Sequence, residues 1–138
     1  MTHPIRTAAL FLVLAGGAAH AADLVIRVDN VRNADGQVKV ALYDSADAFL
    51  KRPLRVADAP ASAGATTVVI KDVAPGDYGF AVFHDANGNG SMDRNLMGMP
   101  LEPYGFSQDA RPNMGPPAFE AARFALPATG LDTSVTLR

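Results

Sequence analysis

From residue 24 onward the chain alternates. Leu24, Ile26 and Val28 interleave with Val25, Arg27 and Asp29, which places the first three on one face of a strand. Residues 33–36, Asn-Ala-Asp-Gly, carry turn chemistry, and Val38, Val40 and Leu42 then alternate with Gln37, Lys39 and Ala41, so the first two strands are expected to form a hairpin. Ser45 can cap a single helical turn that ends on Phe49 and Leu50. Residues 54–65, rich in Ala, Pro, Ser and Gly, are expected to cross from one sheet edge to another, whereas residues 66–73 are β-branched and read as a strand. Pro75-Gly76 turns the chain. Tyr78, Phe80 and Val82 then alternate with Gly79, Ala81 and Phe83 in a strand that runs into residues 84–90, His-Asp-Ala-Asn-Gly-Asn-Gly. Residues 94–117 hold many Pro and Gly and no periodicity; residues 119–126 and 131–137 read as closing strands. Six or seven short strands without a long helical pattern predict an all-β fold, a single antiparallel β-sandwich with one long irregular loop.

The start of the chain follows a different rule. Arg6, an apolar stretch over residues 8–19 and the small-x-small sequence Ala19-His20-Ala21 make residues 1–21 a secretory signal peptide, with cleavage expected after Ala21. The apolar stretch is shorter than the roughly 20 residues that span a bilayer, so no membrane span is expected after cleavage. Residues 22–138 then form one domain, expected in the periplasm or secreted, as a monomer. The chain has no cysteine and a formal charge of −2, with Lys and Arg scattered singly. Nucleic acid is therefore not an expected partner, and neither disulfides nor a cysteine nucleophile are available.

Candidate chemistry gathers after the strand that ends at residue 83. In Asp85-x-Asn87-x-Asn89-Gly90-Ser91-x-Asp93 an oxygen donor recurs at every second position, the pattern a hard cation such as Ca²⁺ selects, with the backbone carbonyl of Ser91 in the seventh place of an EF-hand-like count. The twelfth place is Leu96 and not glutamate, so such a site must recruit another carboxylate, Glu102 or Asp109. The same residue types also build metal-free turns. Beyond the loop, Met97, Met99 and Met114 with His84 are donors suited to Cu(I), while Met and aromatic residues in a long loop also serve to cover a sheet. Asp85, Asp93, Glu102 and Asp109 supply carboxylates from which a hydrolase could draw a pair. With one histidine after the signal there is no zinc set, and no serine elbow accompanies it, so the chain is read as not an enzyme.

The run Pro75-Gly76-Asp77-Tyr78-Gly79-Phe80-Ala81-Val82-Phe83-His84-Asp85-Ala86-Asn87-Gly88-Asn89-Gly90, with Glu102-Pro103-Tyr104-Gly105-Phe106-Ser107 and Gly115-Pro116-Pro117-Ala118-Phe119, resembles an exported bacterial family, the domain of unknown function twenty-one forty-one. The resemblance implies a signal peptide and a compact β-rich domain, and carries no activity. The Pro-Gly-x-Tyr strand and Asn-Gly loop are also similar to prealbumin-like and collagen-adhesin modules, so a prealbumin-like or immunoglobulin-like sandwich is expected. The function expected is that of a binding or envelope accessory module: Asp85, Asn87, Asn89, Ser91 and Asp93 hold Ca²⁺, and Tyr104, Phe106 and Glu102 face an envelope protein or a small ligand. A copper carrier and a hydrolase are the alternatives.

Overall fold

The computed structural model describes residues 21–138, so residues 1–20 of the expected signal peptide lie outside it. Eight strands form two facing sheets. In the first, β1 (Ala22–Val31) lies between β4 (Gly64–Val73) and β8 (Leu131–Thr136). The second has the order β3 (Arg55–Pro60), β2 (Gln37–Tyr43), β5 (Gly76–Asp85), β6 (Tyr104–Phe106), and β7 (Phe124–Leu126) pairs with the start of β5. Pairing is antiparallel except between β1 and β8, which run parallel. The all-β sandwich predicted from alternation is the fold found.

Alternation also places the core. Leu24, Ile26 and Val28 of β1, Val68 and Ile70 of β4, Val38, Val40 and Leu42 of β2, and Phe80 and Val82 of β5 are buried together between the sheets. Removing such side chains from water is the main stabilising term in a cysteine-free domain, at about 1.5–3 kcal/mol each for a fully buried aliphatic or aromatic side chain. A second apolar cluster lies on the other face of the second sheet: Tyr43, Phe49, Phe106, Phe119 and Ala122. The Ser45 hydroxyl accepts the Ala48 N–H (3.2 Å) and the Ser45 carbonyl accepts the Phe49 N–H (3.0 Å). That capped turn sets the Phe49 ring edge-on to Tyr43 (centroids 5.3 Å apart) and to Phe119 (5.6 Å).

Three expectations about connectivity are corrected. β1 and β2 do not form a hairpin; they belong to different sheets, and residues 33–36 carry the chain between them. The turn chemistry is used, since Gly36 has φ of 63°, but it serves a crossover in which Gly36 presses on the backbone of Asp85. Residues 54–65 do cross between sheet edges, and they also contain β3, which pairs with β2 over six positions. Residues 119–126 are a one-turn helix, α1 (Phe119–Ala122), followed by β7. Phe-Glu-Ala-Ala is helix-compatible, and the apolar pattern alone does not tell a short helix from a strand.

The two sheets are joined at one edge. Tyr104 and Arg138 exchange N–H···O bonds of 3.2 and 2.9 Å, so β6 is stitched to β5 on one side and to the chain end beyond β8 on the other. A 3₁₀ turn over Ser107–Asp109 follows β6. There the buried Ser107 hydroxyl accepts the Phe80 N–H (2.9 Å) and donates to the Ala122 carbonyl, tying β5 to α1.

Candidate functional site

β5 ends on two buried polar residues, His84 and Asp85. Successive side chains on a strand face opposite ways, so Phe83 looks out from the sandwich and His84 looks in. The His84 ring is satisfied at the end of the core, where Nε2 donates to the Asp35 carbonyl at 2.6 Å in the crossover from β1 to β2. The backbone N–H of His84 donates to the Pro103 carbonyl (2.9 Å).

Asp85 opens the loop. Its side chain is 0 % exposed, its Oδ2 accepts the Gly90 N–H at 2.8 Å, and its backbone carbonyl accepts the Gly88 N–H at 3.2 Å. Its Oδ1 has no hydrogen-bond partner. Further along, the Oδ1 atoms of Asn87 and Asn89 accept N–H groups two residues on, from Asn89 (3.2 Å) and Ser91 (3.0 Å), in consecutive Asx turns. The Nδ2 groups of the same two residues donate to the Asp93 carboxylate, Asn89 at 2.7 Å. Residues 85–93 are thus wound around their own side-chain oxygens.

Glu102 closes the ring. Its Oε2 accepts the Ala86 N–H and its Oε1 the Asp93 N–H, both at 3.0 Å, so one carboxylate spans the two ends of the loop. It is brought there by a small excursion in which Arg94 pairs with Pro100 and the Leu101 N–H donates to the Asp93 carbonyl at 2.8 Å. Asn95 Oδ1 accepts the N–H groups of both Met97 (2.9 Å) and Met99 (3.0 Å), and Leu96 and Met97 stand in solvent. Replacing Glu102 by alanine frees the amides of Ala86 and Asp93. We expect a loss of about 1–3 kcal/mol, discounted for partial exposure, and faster hydrogen exchange at those two amides, read by NMR.

The other residues singled out by the sequence separate. Asp109 does not join the carboxylates; its Oδ1 accepts the Thr136 N–H at 2.9 Å. Among the described residues no three carboxylate or imidazole groups converge as a metal-binding cluster on their own. Met97 and Met114 are fully or nearly fully exposed, while His84 is buried on the opposite side of β5 from Phe83, so the thioethers and the imidazole are not gathered. Ser91 is exposed.

Tyr104 and Phe106 stand on the outer face of the second sheet, their rings edge to face at 5.8 Å. Phe106 is buried in the second apolar cluster and Tyr104 is half-buried. Both line a cleft of about 760 Å³ between the sheet and the flanking stretches 90–100 and 112–116, together with Tyr43, Phe83, Met92 and Met99. Burial pushes the Tyr43 phenol above its ordinary pKa of 10.0, which keeps it neutral. Sequence reading misses this cleft because its walls come from four strands and a loop distant in the chain. The one local signal is the run of small residues, Ala41 on β2 and Gly79 and Ala81 on β5, at outward strand positions.

Among known proteins, no curated protein matches the chain and no solved structure matches it. The model of one family, described as uncharacterized proteins conserved in bacteria (DUF2141), matches residues 26–134, which takes in both sheets, the loop and the cleft, and the chain belongs to that family.

Proposed function

We propose that residues 22–138 are an exported, non-enzymatic binding module, periplasmic or secreted, whose loop from Asp85 to Asp93 takes a Ca²⁺ ion that orders the segment from Asn95 to Phe119. The observation that carries this reading is the Asp85 carboxylate, buried at 0 % exposure with Oδ1 unpaired. A buried carboxylate oxygen without a donor costs free energy on the order of 1–3 kcal/mol or more, and a cation offsets that cost.

The donor set fits a hard ion. Asp85 Oδ1, the carboxamide oxygens of Asn87 and Asn89, the Asp93 carboxylate and the Ser91 carbonyl are all oxygens, and each Asx-turn oxygen keeps a second lone pair after accepting its N–H. The bound ion would supply positive charge at the centre of the loop. Glu102, which already holds both loop ends, would act as the brace that keeps the ring closed.

The test is a thermal melt of residues 22–138 in EDTA and in millimolar Ca²⁺, with Mg²⁺ as the comparison. A ligand at about 100 times its Kd stabilises by roughly 2.7 kcal/mol, so the melting temperature is expected to rise by several degrees with Ca²⁺ alone. Asp85→Asn and Asp93→Asn are expected to lose that rise. Asp93 is the safer variant for folding, because its side chain is only partly buried. A wild-type melt indifferent to Ca²⁺ sinks the ion site.

A further inference from the structure

The outer face of the second sheet is laid out in two cross-strand rows. Asp58, Lys39, Phe83 and Tyr104 stand side by side in one, and Val56, Ala41, Ala81 and Phe106 in the next. The two alanines leave a depression bounded by Lys39 and Val56 on one side and by the rings of Phe83, Tyr104 and Phe106 on the other. Residues from the stretches 90–100 and 112–116 complete the cleft of about 760 Å³. That volume falls within the roughly 300–1,000 Å³ of small-molecule sites.

The charges of the lining are one-sided. The chain has 14 acidic and 12 basic residues, yet the cleft is lined by Lys39 and Arg94 and by no carboxylate. Lys39 shares its charge with Asp58 across the strand pair at 3.2 Å. Arg94 meets no carboxylate among the described residues; its Nη1 donates to the Gly98 carbonyl at 3.0 Å, which steadies the guanidinium and leaves its other N–H groups free. A planar guanidinium held this way matches a carboxylate through two parallel hydrogen bonds. Met92 and Met99 line the same cleft with thioether side chains that adapt to irregular apolar bodies, beside the rings of Phe83 and Tyr104.

From this cleft we infer that the domain binds a small amphiphilic carboxylate, its acyl or aryl body seated on Ala41 and Ala81 between Phe83, Tyr104 and the two methionines, and its anionic head on Arg94. The inference deepens the binding-module reading and does not rest on the calcium ion.

Residues 22–138 are titrated with 11-(dansylamino)undecanoic acid, in Ca²⁺ and again in EDTA. Saturable one-site binding in either buffer is expected, with displacement by decanoate if the body is acyl or by 2-naphthoate if it is aryl. Arg94→Gln, at an exposed position, is expected to weaken the acid about tenfold or more while leaving 1-decanol as competitor unchanged. Ala81→Leu is expected to fill the depression and abolish binding of both, and its circular dichroism spectrum and melt establish that it is folded. No saturable emission in either buffer, displacement by neither competitor, or full affinity in Arg94→Gln overturns the proposal. Because the ion site is read separately by the melt, a shift with Ca²⁺ but no probe binding refutes the cleft alone, and the converse refutes the ion alone.

Discussion

Gly36→Ala lowers the melting temperature by about 10 °C or more. Gly36 sits in the crossover between the two sheets at φ of 63°, where a side chain costs roughly 1–2 kcal/mol through its own backbone. The larger cost comes from its surroundings. A Cβ there would lie 2.0 Å from the Asp85 carbonyl oxygen and 2.8 Å from that of Ala86, and backbone atoms cannot rotate aside as a side chain can. Adding about 1–3 kcal/mol of overpacking gives a total near 3 kcal/mol, at about 4 °C per kcal/mol for a domain of this size. Gly88→Ala is the control. It has nearly the same φ, 67°, with nothing within 4 Å of a built Cβ, so it should lose only about 1 kcal/mol. Calorimetric melts of the pair separate contact from conformation, and equal losses would contradict the packing of the crossover on β5.

Phe80→Ala carries the second large effect, an expected loss of about 3–5 kcal/mol in urea unfolding. The side chain is fully buried at the centre of β5, its ring meets Phe124 edge to face at 5.7 Å, and its N–H is held by the Ser107 hydroxyl. The neighbours are fixed by β7 on one side and by the 3₁₀ turn on the other, so the space left behind cannot collapse. Val69→Ala on β4, at a position 40 % exposed, should cost only about 0.5 kcal/mol. A small effect at Phe80 would mean that the core between the sheets is looser than its burial implies.

The alternation of Leu24, Ile26 and Val28, and of Tyr78, Phe80 and Val82, states which side chains enter the core, and the structure buries all six. Alternation does not state which strand lies beside which. Residues 33–36 have the composition of a hairpin turn, but the partners of β1 are β4 and β8, so the crossover could be learned only from the register of distant strands. β3 escaped notice because Arg55, Ala57, Asp58 and Ala59 carry little strand propensity, and its backbone is held by pairing with β2 at a sheet edge. For the loop, the spacing of Asp85, Asn87, Asn89 and Asp93 was legible because its oxygens act locally. The cleft was not, since Lys39, Ala81, Arg94 and Tyr104 meet only after the sheet has formed and the chain has folded back across it.

The parallel pairing of β1 with β8 has a consequence in time. β1 is the middle strand of its sheet, and its far side stays bare until β8 arrives; Asn30 and Leu137, 107 residues apart, share a hydrogen bond there. Closing so long a loop for a parallel contact is slow, so this side of the sheet is completed late in folding. Until β8 docks, one edge of β1 is unpaired, and that is the form in which the domain is most open to edge-to-edge pairing with another copy of itself.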